Sequence, residues 1–183
     1  IGAASITLNP FEMSALPHLH GVVLDYGCGL GALSLAAARR GCTVHALDAS
    51  EVAIRHLQQQ ALTEELPIRA EVADLRNYSV DGQFDAVVSI GLLMFFDCAT
   101  AQRVLSDLES RVKPGGSLVI NVLVEGTSYM EMFVPRGYCL FKRSALEERY
   151  ARWDLISASA SEFSAPGGQL KVFATIIARK PAQ

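Results

Sequence analysis

Across 183 residues the sequence has no run of Lys and Arg longer than a pair, such as Arg39-Arg40 or Lys142-Arg143, and 16 basic residues stand against 19 acidic ones. A net charge of −3 offers no clustered positive surface of the kind that phosphate backbones require, so nucleic acid is not an expected partner. Long apolar runs are missing too: the most apolar window, residues 86–96, falls far short of the roughly 20 residues that cross a bilayer. No charged-then-apolar leader opens the chain, and its four cysteines (Cys28, Cys42, Cys98 and Cys139) contain no Cys-x-x-Cys pair. Thiols so scattered are expected to be reduced, in a cytoplasmic protein that does not enter a membrane. His18 and His20 form a His-x-His pair, but no Cys or carboxylate stands at ligand spacing from them, so no metal is expected. What is present is apolar bulk. With 50% hydrophobic and only 19% charged residues the chain is not of the disordered class, and its length suits one domain with its own core.

Between residues 21 and 124 apolar strands alternate with amphipathic helices. Val22-Val23-Leu24-Asp25-Tyr26 is a short apolar run that stops at a Gly-rich turn, which reads as a buried strand. Residues 32–40 are Ala- and Leu-rich and end in Arg39-Arg40-Gly41, a helix with a cationic last turn and a glycine stop. Strands are expected at 43–47, 69–73, 85–90 and 117–124, with helices at 51–60, where Ser50 can cap, and at 100–112, ended by Pro114-Gly115-Gly116. After residue 124 the pattern becomes irregular over residues 125–140, which fits a loop over a substrate. A short helix at 145–151 and two strands at 153–161 and 170–178, joined by Ala165-Pro166-Gly167-Gly168, close the chain as a hairpin. The expectation is a Rossmann-like, doubly wound α/β domain over residues 1–183. Its sheet would have seven mainly parallel strands and an antiparallel C-terminal hairpin, with residues 1–20 as an N-terminal lid and 125–140 as a substrate-loop insertion.

Chemistry concentrates at Asp25-Tyr26-Gly27-Cys28-Gly29-Leu30-Gly31. Glycines at a strand-to-helix turn let backbone approach a ligand closely, and Gly27-x-Gly29-x-x-Ala32 also fits a dinucleotide fingerprint. The aspartate two positions before the first glycine separates the two readings. A carboxylate aimed into this crevice repels a pyrophosphate and suits an ammonium or sulfonium group. Asp48 follows the second strand, where an ionised carboxylate can accept hydrogen bonds from both ribose hydroxyls, with Ala49 beside it. Asp74 follows the third strand, placed to accept from an adenine amino group while Leu75 packs on the base.

Three acids after three successive strands, with the glycine turn, outline a nucleoside bearing an amino-acid tail. The layout resembles the class I S-adenosylmethionine methyltransferases. Phe84-Asp85-Ala86-Val87-Val88, Val112-Lys113-Pro114-Gly115-Gly116 and the closing hairpin fit the same family. Within it, Leu92-Leu93-Met94-Phe95-Phe96, Phe141-Lys142, Leu146-Glu147-Glu148-Arg149-Tyr150, Trp153-Asp154 and residues 172–180 are similar to the tellurite-resistance protein B type. The resemblance implies S-adenosylmethionine as cofactor, S-adenosylhomocysteine as product, and a cofactor set of Asp25, Tyr26, Gly27, Cys28, Gly29, Asp48, Ala49, Asp74, Leu75 and Ser89. It also implies a small substrate. One departure stands out: where that type carries a His-Arg pair before its last strand, this chain reads Glu162-Phe163-Ser164-Ala165, so tellurite itself is not implied.

Substrate candidates flank the C-terminal edge of the sheet: Gly91, Leu92 and Met94 after the fourth strand, and Tyr129, Met132, Phe133, Arg136, Tyr138 and Phe141 around the insertion. The function expected is methyl transfer to a small soft nucleophile, whether thiol, chalcogen oxyanion or heteroaromatic. Soft thiolates and selenolates need little general-base help, so no catalytic base is assigned. A cofactor-binding module without catalysis and an NAD(P)-dependent oxidoreductase are the alternatives. Nearly all the chain is taken up by this fold, which leaves no room for a domain that grips a macromolecule. The expected partner is a small-molecule acceptor, and the expected state a monomer or homodimer.

Overall fold

The alternating pattern builds one sheet in the computed structural model, which describes residues 7–134 and 137–183. The strands are β1 (Val22–Tyr26), β2 (Thr43–Asp48), β3 (Ile68–Val72), β4 (Phe84–Ile90), β5 (Val112–Leu123), β6 (Asp154–Ala165) and β7 (Gln169–Arg179). Their order is β3-β2-β1-β4-β5-β7-β6; the first five run parallel, while β7 is antiparallel to both β5 and β6. The helices are α1 (Pro10–Ala15), α2 (Ala32–Arg39), α3 (Glu51–Thr63), α4 (Cys98–Arg111) and α5 (Arg143–Arg149). This is the doubly wound α/β arrangement with an antiparallel C-terminal pair. Strand order reverses between β1 and β4, and such a reversal opens a crevice at the carboxyl ends of those two strands.

Strand pleat divides the core into two layers. On β1, Val23 belongs to the layer under α2 and α3, with Leu33, Ile54 and Leu57, whereas Leu24 and Tyr26 belong to the layer under α4 and α5, with Leu105, Leu108 and Tyr150. Asp25 shares the face of Val23 and is anchored there by Ser34 of α2. Among the described residues no helix is long and apolar enough to cross a membrane.

Three features differ from expectation. Residues 10–15 are helical because Asn9-Pro10-Phe11-Glu12 forms a capping box: Glu12 N–H donates to Asn9 Oδ1 and Asn9 N–H to Glu12 Oε2, both at 2.9 Å. β5 begins at Val112, five residues early. Val112 pairs with Phe84 across a register shift, and the Pro114-Gly115-Gly116 stretch is held by Lys180, through Gly115 N–H to Lys180 O at 2.9 Å and Lys180 N–H to Gly116 O at 2.8 Å. The cysteines are not all reduced. Cys98, the first residue of α4, and Cys139 form a disulfide, because the loop after β5 returns along α4 and brings their Cα atoms to 4.8 Å; Cys28 and Cys42 stay free and buried.

Candidate active site

The crevice at the β1/β4 switch holds a cleft of about 310 Å³. Its floor is the turn after β1, where Gly27 and Cys28 N–H groups both donate to Leu47 O, at 2.8 and 2.9 Å, binding the turn to β2. Gly31 has φ +85°, and a Cβ there would stand 2.5 Å from the Leu57 side chain, so only glycine lets α2 start this close to α3. No side chain caps α2, and Ala32 and Leu33 of its first turn line the cleft. Free first-turn amides with the positive end of the helix dipole suit a carboxylate.

Asp25 lines the cleft but is only 5% exposed, and Ser34 Oγ–H donates to its Oδ2 at 2.6 Å. Burial pushes its carboxyl up to about 7, against the opposing pull of the Ser34 hydrogen bond, and the charges of Glu12 and Asp48 add to the rise. Glu12 of α1 also lines the cleft, and no Lys or Arg does among the described residues. Two carboxylates with no cation select a positive group. Next to uncapped amides, they suit a zwitterionic amino-acid tail whose ammonium meets Asp25 and whose carboxylate meets α2. Cys28 is no nucleophile here: burial, with Asp25 and Asp48 nearby, pushes its thiol well above the usual range. Among the described residues no group of three His, Cys, Asp or Glu side chains could hold a metal ion.

The family model described as a methyltransferase domain matches residues 23–116, which takes in β1 to the start of β5 and the whole glycine turn. The chain belongs to the methyltransferase domain family. The cofactor of such domains is S-adenosylmethionine, and the donor set above fits it. Among similar curated proteins, hemagglutinin 1 of Eikenella corrodens is 27% identical over 165 residues, covering 86% of this chain and 54% of its own length. The probable S-adenosyl-L-methionine-dependent methyltransferase TehB of Haemophilus influenzae is 26% identical over 165 residues, covering 86% of this chain and 57% of its own. This methyltransferase domain therefore spans little more than half of those relatives. The crystal structure of TehB from Haemophilus influenzae superposes with a TM-score of 0.78 at 23% identity, covering 94% of this chain and 62% of that one.

In the methyltransferase domain the sequence-derived cofactor residues divide into two groups. Asp25, Gly27, Cys28 and Gly29 line the cleft together. Asp48 stands at its edge, accepting from Gly29 N–H at 2.8 Å through Oδ2 and from Ser50 N–H at 2.9 Å through Oδ1, so it braces the glycine turn and keeps a second lone pair on each oxygen. The other side chains lie elsewhere. Tyr26 is buried on the α4 side and its hydroxyl donates to Leu75 O at 2.6 Å; Leu75 is 4% exposed in the same layer, so neither side chain borders the cleft. The pleat explains Tyr26, because neighbours on a strand face opposite ways. Asp74 closes its own turn, accepting from Asn77 Nδ2 at 2.7 Å and Arg76 N–H at 3.2 Å; Ala49 is exposed outside the cleft. Ser89 is buried and its Oγ has no hydrogen-bond partner among the described residues.

Of the substrate candidates, Leu92 packs against the α4-side core and against Gly27, where a Cβ would lie 3.0 Å from its side chain; it does not line the cleft. Met94 and Phe141 are core residues, 3% and 4% exposed. Phe133 stacks on Tyr138 at 5.0 Å between ring centroids and tilts against Phe95 at 5.5 Å, so these aromatics hold the insertion to the turn after β4. Met132 and Phe133 line a second hollow of about 370 Å³ with Arg76, Phe95 and Asp97. Tyr129 lies under the Lys171 ammonium, and Arg136 falls outside the described residues. Sequence reasoning did not single out Glu12, Asn9 and Ile90, which line the cleft. The capping box at Asn9–Glu12 was the available signal for the first two.

Proposed function

We propose that this domain is an S-adenosylmethionine-dependent methyltransferase acting on a small soft nucleophile: a thiol, a chalcogen oxyanion or a heteroaromatic. The observation that carries this reading is Asp25, a buried carboxylate facing a cleft with a second carboxylate and, among the described residues, no cation. Such a site rejects the pyrophosphate of a nicotinamide dinucleotide and receives an ammonium beside a sulfonium. The similarity to a probable S-adenosyl-L-methionine-dependent methyltransferase supports it.

When bound, the cofactor supplies an activated methyl group on a sulfonium. The protein's own work is placement. Asp25 and Glu12 would hold the ammonium, the first turn of α2 the carboxylate, and Asp48 the ribose hydroxyls. α1, whose Glu12 lines the cleft, would limit water over the glycine turn. The acceptor, a small molecule, enters beside Ile90 at the end of β4. We propose a monomer or homodimer, with no nucleic acid or membrane partner, and a cytoplasmic location.

The test is transfer of labelled methyl from S-adenosylmethionine to a panel of thiols, selenite and heteroaromatic acids. Transfer to one of these classes is expected. A protein that binds S-adenosylhomocysteine yet labels none is the non-catalytic module, and one that binds NAD(H) instead is the oxidoreductase.

A further inference from the structure

Three phenylalanine rings meet beside the cofactor cleft. Phe11 lies 5.7 Å from Phe163 and 4.9 Å from Phe173 between centroids, and Phe163 lies 5.8 Å from Phe173. Phe11 comes from α1, between Asn9 and Glu12, which line the cleft. The other two come from the antiparallel pair. In-register partners share a face of the sheet, so Ile90, Asn121 and Thr175 form one row across β4, β5 and β7. Leu123, Phe173 and Ser161 form the next row outward, on the same face and toward the same edge, and Phe163 opposite Lys171 extends it. β7 lies two strand spacings, roughly 10 Å, from β4. A two-ring aromatic molecule covers that span between the trio and Ile90.

Rings that served only to pin α1 would be covered by it, yet Phe163 keeps 39% of its surface exposed. Charge adds a direction. Lys171, across the strand pair from Phe163, makes no ion pair among the described residues, and its Nζ stands 5.0 Å from the Tyr129 ring centroid. An apolar aromatic wall with one ammonium at its rim is complementary to a flat ring system carrying a negative charge. Its polar neighbours in those rows, Asn121, Thr175 and Ser161, are uncharged, whereas a small, strongly hydrated oxyanion is best held by charged donors.

We propose that Phe11, Phe163 and Phe173 form the wall of the methyl-acceptor subsite, which takes a planar aromatic acceptor bearing an anionic group held by Lys171. The inference rests on the methyltransferase reading and narrows its three acceptor classes to one.

The experiment is calorimetric titration of quinoline-4-carboxylate, neutral quinoline and selenite into the protein saturated with S-adenosylhomocysteine, with affinity for S-adenosylhomocysteine measured first. The carboxylate is expected to bind at millimolar concentration or below, quinoline more weakly, and selenite not at all. Phe163→Ala should weaken both ring probes by about tenfold, and Lys171→Met should weaken the carboxylate alone by a similar factor. Neither variant should move the affinity for S-adenosylhomocysteine, and Phe163→Tyr should restore ring binding. Binding of selenite without the ring probes overturns the proposal, as does ring binding indifferent to Phe163→Ala. A fall in S-adenosylhomocysteine affinity and melting temperature together in Phe163→Ala shows a structural pin and overturns it too. Failure of the unmodified protein to bind S-adenosylhomocysteine sinks the methyltransferase reading itself, which separates the two failures.

Discussion

Asp25→Asn should make the protein more stable and a poorer binder. Asp25 is 5% exposed, and its carboxyl sits at about 7 in the folded chain against an ordinary value of 3.8. Between roughly pH 4, where the unfolded chain's carboxyl ionises, and pH 7, the folded protein holds a proton that the unfolded chain has released. Stability therefore falls as pH rises through that window, and above pH 7 the loss is complete. A shift of about three units corresponds to about 4 kcal/mol. Asparagine has the same shape and still accepts from Ser34, but its NH2 puts a donor where an acceptor stood, so a net gain of about 2 kcal/mol is the working figure. For a chain of this size that is an increase of roughly 4 to 8 °C in Tm at pH 8. The gain should vanish near pH 4.5, because wild-type Asp25 is then neutral as well. Thermal melts of both proteins at the two pH values measure it, with titration of S-adenosylhomocysteine alongside. Equal stabilisation at both pH values, or none at pH 8, refutes the argument from burial. Undiminished affinity refutes the role given to Asp25.

The remaining predictions concern the glycine turn and the cysteines. Asp48→Ala should weaken S-adenosylhomocysteine by about 1.5 to 3 kcal/mol, as expected for hydrogen bonds to a charged group, and unchanged affinity in the same titration removes the ribose assignment. Gly31→Ala should lower stability by about 1 to 3 kcal/mol in urea unfolding, since φ is +85° and the new Cβ meets Leu57 at 2.5 Å. Thiol titration of the unreduced protein in denaturant should count the two free cysteines, Cys28 and Cys42, and four after reduction by a dithiol; four at the outset means that Cys98 and Cys139 are not joined.

Much of the fold was legible in the sequence because its signals are local. The apolar run before Gly27-Cys28-Gly29, the Ser50 cap and the Ala165-Pro166-Gly167-Gly168 turn each carry their own geometry. The cleft was legible where the backbone makes it: Asp25, Gly27, Cys28 and Gly29 line it, and Asp48 braces Gly29. It was not legible where direction matters: Tyr26 and Leu75 belong to the right segments, but the pleat and the turn point their side chains into the α4 layer. Contacts distant in sequence left no motif at all. Cys98 and Cys139 are 41 positions apart, and nothing in either stretch announces the other. Phe11, Phe163 and Phe173 come together only because β6 and β7 fold back beneath α1.

The most direct measurement is calorimetric titration of the unmodified protein at pH 8 with S-adenosylhomocysteine and, separately, with NADH. One-to-one binding of S-adenosylhomocysteine is expected, about tenfold weaker at pH 6, where Asp25 is largely protonated and cannot attract the ammonium, and no binding of NADH. No heat with S-adenosylhomocysteine at millimolar concentration, or binding of NADH in its place, contradicts it.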